Sequence, residues 1–350
     1  MESYMGIDTN KKDWKYRLGA IRECNNTAAW AMAEFIDETP AAITGALLKE
    51  ADPEGVLPEE ALYAALMAGI SGIDGDDREL SDYFLRAVKC LDAAEYASNQ
   101  YLTTINFPNA TLGNWKFTHY HYRPYEAFIR DDIQVDEDTR EIPQVGYFRE
   151  RFTYPAVEQN GREWMAVKPS EIASMQPVID VVSGNVLTFG LGLGYFTFMA
   201  SEKQDVLHVD VVERDEDAIR LFTEHILPQF PNKHKVRVMK SDAYDFMTRM
   251  TGDSQDAYDY AFMDLWHDTA DGLELYLKAK KSEAKLKRQG IGTTFLYWVE
   301  RSLLSAWRWT RFDDIIATSQ NEEEALTKLT DSALAKLAET YSSSAGIFPA

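Results

Sequence analysis

Three glycines recur at alternate positions in the middle of the chain: Gly190, Gly192 and Gly194. They follow a short apolar run and precede a helical pattern that begins at Tyr195. Because glycine lacks a Cβ atom, the backbone can turn sharply there and a ligand can approach it closely. The free N–H groups of the helix start would face that ligand. A dinucleotide loop has the spacing G-x-G-x-x-G, so the tighter spacing here predicts a different small ligand.

Two acidic residues follow the loop, each at the end of a predicted strand. Glu213 lies about 20 residues beyond the glycines, where a carboxylate binds the ribose hydroxyls of a nucleoside. Its two oxygens can accept hydrogen bonds from two vicinal hydroxyls. The alternative interpretation of Glu213 is a solvated acid. Asp242 precedes the helical pattern that begins at Ala243, so it is also a candidate N-cap.

A polar cluster follows the next predicted strand and contains Asp264, Trp266, His267 and Asp268. Ligands of open α/β sheets bind beyond the carboxyl ends of the strands, so this cluster is expected at the rim of the same crevice. An acid there can orient an amine or take its proton, and a histidine can do so near neutral pH. We therefore predict Asp264, His267 and Asp268 as catalytic residues. The alternatives are a histidine in a surface loop and a tryptophan that packs or forms a lid.

The elements that must position these residues alternate between strand and helix from about residue 170. Such alternation predicts an α/β fold, with a Rossmann-like, mostly parallel sheet and helices on both faces. The predicted strands are Val186–Phe189, Val206–Val212, Val236–Met239, Tyr260–Met263 and a fifth over Ile291–Val299. The predicted helices are Tyr195–Glu202, Asp217–Ile226, Ala243–Met250 and Tyr276–Gln289.

The chain divides into three regions of different texture. Residues 1–110 have helical apolar spacing, including a predicted helix over Ser81–Gln100. Residues 111–169 are rich in aromatic and β-branched residues, and Asn160-Gly161 predicts a two-residue hairpin in a small antiparallel β unit. Residues 170–350 contain the alternating pattern and form the predicted Rossmann-like domain.

Residues 184–268 resemble the class I S-adenosylmethionine-dependent methyltransferases, and within them most closely the spermidine synthase branch. The resemblance implies S-adenosylmethionine, or its decarboxylated form, as the ligand of the Rossmann-like domain. It implies that Gly190, Gly192 and Gly194 line the cofactor loop and that Glu213 binds the ribose. It also implies that Asp242 binds adenine, with Ala243 against the ring, and that Asp264 faces the reacting centre. The stretches that carry it are Val211–Ile219, Val236–Ala243 and Tyr258–Leu265.

Two departures from the aminopropyl-transferring members favour methyl transfer. Those members follow the glycine loop with Arg-Glu, whereas this chain has Tyr195-Phe196; they follow the fourth strand with Asp-Pro, whereas it has His267-Asp268. The sequence therefore predicts a methyltransferase that acts on a small molecule or a protein. The alternatives are an aminopropyltransferase that uses decarboxylated S-adenosylmethionine and a non-catalytic Rossmann scaffold.

The composition of the chain limits the classes of partner that the protein is expected to bind. The formal net charge of −21 argues against nucleic acid, which such a protein repels at long range. No apolar segment approaches the length of a membrane span, and the widely spaced Cys24 and Cys90 predict free thiols in a cytoplasmic protein. His119 and His121 lack further ligands at metal-site spacing, so no metal is expected. Whether the chain forms a homo-oligomer is left open.

Overall fold

The computed structural model describes residues 14–250 and 257–341. Its α-helices are, in chain order, α1 (Trp14–Glu38), α2 (Gly45–Ala51), α3 (Glu59–Ile70), α4 (Arg78–Ala87), α5 (Ala93–Ala97), α6 (Gln100–Thr104), α7 (Pro169–Val181), α8 (Tyr195–Glu202), α9 (Glu216–His225), α10 (Ala243–Arg249), α11 (Thr269–Arg288), α12 (Glu300–Thr318), α13 (Glu322–Leu329) and α14 (Asp331–Ala338). Its strands are β1 (Val88–Leu91), β2 (Thr111–Leu112), β3 (Trp115–Tyr122), β4 (Phe128–Ile129), β5 (Gln134–Val135), β6 (Glu141–Ile142), β7 (Val145–Phe148), β8 (Phe152–Gln159), β9 (Arg162–Ala166), β10 (Gly184–Phe189), β11 (Val206–Glu213), β12 (Val236–Lys240), β13 (Tyr260–Met263) and β14 (Thr294–Tyr297).

The described residues form two compact units, each built from separate stretches of chain. The first contains residues 14–93, 122–152 and 307–334, and the second contains the remaining described residues. The predicted segments 1–110, 111–169 and 170–350 have other boundaries, because long-range contacts join distant stretches. For example, the buried Arg308 forms ion pairs with Glu141 and Asp331 within the first unit. Local periodicity carries no information about such contacts.

The first unit packs α1, α3 and α4 around a core that includes Tyr63 and Met67. The predicted helix over Ser81–Gln100 is wrong in its middle: α4 ends at Ala87, and β1 follows at once. β1 pairs in parallel with β7, which also pairs antiparallel with β4. This pairing joins residues far apart in sequence, and it overrides a helical pattern that only local spacing supported.

The second unit contains a five-stranded sheet in the order β12-β11-β10-β13-β14, with every neighbouring pair parallel. The α/β architecture and the strands expected from the apolar runs are therefore confirmed. The chain runs outward from the central β10 to β11 and β12, and then returns to β13 on the other side of β10. The loop after β10 thus lies at a topological switch point, where α/β sheets bind ligands.

A second sheet in this unit has the order β2-β3-β8-β9. Its β8–β9 pair is antiparallel, and the turn residues Asn160 and Gly161 have φ values of 55° and 78°. Positive φ at both positions is what a tight two-residue hairpin requires, so the predicted hairpin is confirmed. The β4–β7 strands lie in the first unit and contribute no strand to this sheet.

Two expectations about single features can also be compared with the structure. Cys24 and Cys90 are free and partly buried, and burial raises the pKa of Cys24 to about 11. Within residues 14–250 and 257–341, no helix combines the length and apolar character that a membrane span requires.

Candidate functional site

A cleft of about 260 Å³ opens in the second unit where β10, β11, β12 and β13 end. Most residues predicted for the site line it, including Glu213 at the end of β11 and Asp242 after β12. Gly194 and Asp268 are not among its lining residues. The predicted residues that the structure brings together there are Gly190, Gly192, Glu213, Asp242, Ala243, Asp264 and His267.

The three glycines are required by the packing of the protein itself. Gly190, Gly192 and Gly194 have φ values of 96°, 49° and 76°, which side-chain-bearing residues rarely adopt. A Cβ atom on Gly190 would collide with the backbone oxygen of Asp264, and one on Gly194 would collide with Phe222. The spacing of the glycines predicted room for a ligand. At Gly194 the room is taken by the protein, whereas Gly190 and Gly192 also line the cleft.

Glu213 is held against the glycine loop by backbone donors. Its Oε1 accepts hydrogen bonds from the N–H groups of Arg214 (2.8 Å) and Asp215 (2.9 Å). Its Oε2 accepts a hydrogen bond from the N–H of Leu191 in the loop (3.3 Å). These bonds fix the carboxylate at the end of β11. Oε1 already accepts two hydrogen bonds, whereas Oε2 accepts one and keeps capacity for a further donor.

Asp242 is the N-cap of α10. Its Oδ1 accepts hydrogen bonds from the N–H groups of Tyr244 (2.9 Å) and Asp245 (3.1 Å), so the capping interpretation is confirmed. Both bonds use the same oxygen, and Oδ2 takes no part in the cap. Asp242 and the buried Ala243 lie side by side in the cleft lining. The cap therefore orients a carboxylate that still has an oxygen for a ligand.

The loop after β13 divides between the cleft and the start of α11. Desolvation and the nearby carboxylate of Glu213 raise the pKa of Asp264, which lines the cleft, to about 7. Asp268 instead caps α11 in a reciprocal capping box with Asp271. His267 lines the cleft, but its Nε2 lies 3.2 Å from the carbonyl oxygen of Glu163 and its Nδ1 lies 3.3 Å from Asp268 Oδ2. Both ring nitrogens of His267 thus have protein partners.

Glu171, near the start of α7, lines the cleft and was missed by the sequence analysis. It is 7% exposed, and its Oε2 has no hydrogen-bond partner. Burial and the neighbouring Asp264 raise the pKa of Glu171 to about 8. An acid in the first turn of a helix is ordinary, so the sequence carried no signal for it.

Tryptophan side chains form much of the remaining wall. Trp115 and Trp164 contact each other edge to face, with ring centroids 6.1 Å apart. Trp298, which follows β14, donates a hydrogen bond from Nε1 to Ser174 Oγ on α7 (2.9 Å). Trp266 is buried, and its Nε1 has no hydrogen-bond partner. Aromatic faces of this kind attract organic cations.

The described cleft lining carries a strong excess of negative charge. Its basic side chains are Arg214 and His267. Its acidic side chains are Glu171, Glu213, Asp215, Asp242, Asp264 and Asp271. A cleft with acidic groups and aromatic walls favours a ligand that is positively charged and partly apolar.

In the part of the chain that the structure describes, no three histidine, cysteine or acidic side chains are placed to hold a metal ion. His119 and His121 lie exposed on β3. No protein-family model matches this chain, and no curated protein matches it significantly.

Proposed function

We propose that this chain is an S-adenosylmethionine-dependent methyltransferase with a class I Rossmann-like domain, acting on a small-molecule or protein acceptor. The observation that carries the proposal is the convergence of the glycine loop, Glu213 and Asp242 on one cleft at the switch point of the parallel sheet. Each of the three can bind a different part of a sulfur-bearing nucleoside. Together, at this spacing in the chain, the three features are more specific to a nucleoside ligand than a glycine loop alone.

The lining residues fit such a ligand chemically. Gly190 and Gly192 present backbone to the ligand, Glu213 accepts from a ribose hydroxyl through Oε2, and Asp242 accepts from the adenine amino group with Ala243 against the ring. Glu213 and Asp242 each retain acceptor capacity beyond the bonds within the protein. The acidic cleft also stabilises the positive sulfonium of the bound cofactor.

Asp264 is the residue best placed to accept a proton from the acceptor. When bound, S-adenosylmethionine supplies a methyl carbon activated by its positive sulfur, so the protein mainly has to align and deprotonate the acceptor. A carboxyl group with a pKa of about 7 is well matched to that task at neutral pH. His267 positions the loop through Glu163 and Asp268. The catalytic roles of His267 and Asp268 stay predictions.

One observation favours aminopropyl transfer as a second candidate. The carboxylate of S-adenosylmethionine needs a positive partner. The described lining offers few, because its basic side chains, Arg214 and His267, are outnumbered by six acidic ones that would repel the carboxylate. The decarboxylated cofactor has no such need. The open cleft, in turn, supports a ligand-binding protein over a scaffold with a filled crevice.

Calorimetry with S-adenosylhomocysteine tests the proposal. We expect wild type to bind it, and Glu213→Ala to lose at least about tenfold in affinity because the ribose loses its carboxylate acceptor. Glu224→Ala, which removes an exposed acid of α9, is the matched control and should leave the affinity unchanged. Equal affinity in wild type and Glu213→Ala contradicts the assignment. Product from decarboxylated cofactor and putrescine, with none from S-adenosylmethionine, would favour the second candidate.

A further inference from the structure

The cleft has two halves that lie on opposite sides of β10. The ends of β11 and β12 carry Glu213 and Asp242, to which the proposed function assigns the nucleoside. The other half, here called the acceptor half, is formed by Glu171, Asp264, Trp266 and Trp298. These residues come from α7 and from the segments after β13 and β14. Glu171, Trp266 and Trp298 have no role in nucleoside binding in the proposed function.

Glu171 lacks a compensating partner in the acceptor half. Leaving a buried polar atom unpaired costs about 1–3 kcal/mol, and Glu171 Oε2 is such an atom. Lys168, a positive group that acts on Glu171, is itself bound by Glu163, with its Nζ 2.7 Å from Glu163 Oε1. The neighbouring Asp264 is also acidic, and it is close enough to Glu171 and Glu213 for their charges to interact.

Two neighbouring acids in a desolvated site resist ionisation together, so one of them keeps a proton. A cation that binds between the two carboxylates balances their negative charges, so the shared proton can leave. An ammonium group has three N–H donors and can satisfy Glu171 and Asp264 at once, which a sulfonium cannot do because it has no donor. Trp266 and Trp298, which line the same half, then offer apolar surface to an attached alkyl chain.

We propose that Glu171 and Asp264 form a proton-coupled cation subsite, which takes up the ammonium group of an alkylamine acceptor and releases a proton to solvent. No covalent bond to carbon forms or breaks in this step. Glu171 is thereby a specificity-determining residue for the acceptor. The inference rests on the proposed function in assigning the opposite half to the nucleoside and in treating the amine as the acceptor.

The test is titration calorimetry of n-butylammonium, with 1-butanol as the uncharged comparison. In wild type we expect binding of the amine but not of the alcohol. Repeating the titration in two buffers of different ionisation enthalpy should show proton release. Affinity should rise at least about tenfold from pH 6 to pH 8, because the pair must lose its proton before it holds the cation.

Glu171→Gln should reduce the amine affinity at least about tenfold, remove most of the proton release and flatten the pH dependence. Glu224→Gln is the matched control, because it removes an exposed acid outside the cleft and should leave all three quantities unchanged. Wild type that binds amine and alcohol equally, or binds the amine without releasing a proton, overturns the proposal even if Glu171→Gln does not fold.

S-adenosylhomocysteine is titrated into the same samples to separate the two proposals. If it binds and butylammonium does not, the proposed function survives and the cation subsite is wrong. If butylammonium binds with proton release and S-adenosylhomocysteine does not bind, the subsite stands and the nucleoside assignment is wrong.

Discussion

Glu171 lines the cleft, and its burial lowers the stability of the folded protein at any pH where the unfolded chain would ionise it. The unfolded chain ionises a glutamate at an ordinary pKa of about 4.3, whereas burial in the folded chain raises the pKa of Glu171 to about 8. The folded state therefore favours the protonated form. The contribution of Glu171 to stability is complete below about pH 4 and is lost as the pH rises through about 8.

Because the folded state favours the protonated form of Glu171, the stability difference between wild type and a variant that lacks this carboxyl group should grow with pH. We expect Glu171→Gln to become more stable relative to wild type between about pH 5 and about pH 9, by on the order of a few kcal/mol, because the amide never has to ionise. Urea unfolding at a series of pH values measures the difference. Parallel pH profiles for the two proteins would show that Glu171 ionises normally in the folded state.

At the level of single residues, the sequence predicted much of the cleft lining. Spacing alone brought Glu213, Asp242 and Asp264 together, because acids at the ends of adjacent parallel strands meet at one edge of the sheet. Asp268, whose carboxylate caps α11, lies outside the described lining of the cleft, and its catalytic role stays a prediction. The sequence pattern missed Glu171, because an acid at a helix start looks the same whether it faces solvent or a cleft.

At the level of elements, boundaries were predictable wherever local signals agreed. The bounds of α8 and β13 match their predicted ranges, since apolar runs there are bounded by glycines or acids. β1 was not predictable, because its partner β7 lies more than fifty residues later in the chain. Local spacing cannot report a pairing of that range.

The corner between β10 and α8 gives a prediction about an element. Gly190→Ala should destabilise the protein by about 3 kcal/mol or more, because a Cβ atom at that positive φ would also collide with the backbone oxygen of Asp264. Gly290→Ala is the matched control: its φ is 83°, and a Cβ atom there would meet nothing within 4 Å. It should cost only about 1 kcal/mol from backbone strain. Equal losses in denaturant unfolding would mean that the corner relaxes around the added methyl group.

At the level of the whole molecule, composition predicted charge but not organisation. The first unit joins stretches that are separated by up to more than two hundred residues, and ion pairs such as that of the buried Arg308 with Glu141 link them. Such pairs depend on which chain segments meet, which no local pattern encodes. Net charge, in contrast, is a property of the sequence itself, and it acts on every ligand that approaches.

The charge of −21 predicts a difference between ligands in their response to salt. Screening shortens the reach of the protein's field from about 20 Å to about 4 Å between about 0.02 M and about 0.5 M salt. The affinity for n-butylammonium should therefore fall severalfold over this range, because part of its attraction comes from distant acids. S-adenosylhomocysteine carries balanced charges at neutral pH and should bind almost equally at both concentrations. Calorimetry at the two salt concentrations measures the affinity for both ligands. An amine affinity that does not change with salt would mean that only the acids in contact with the ammonium group attract it.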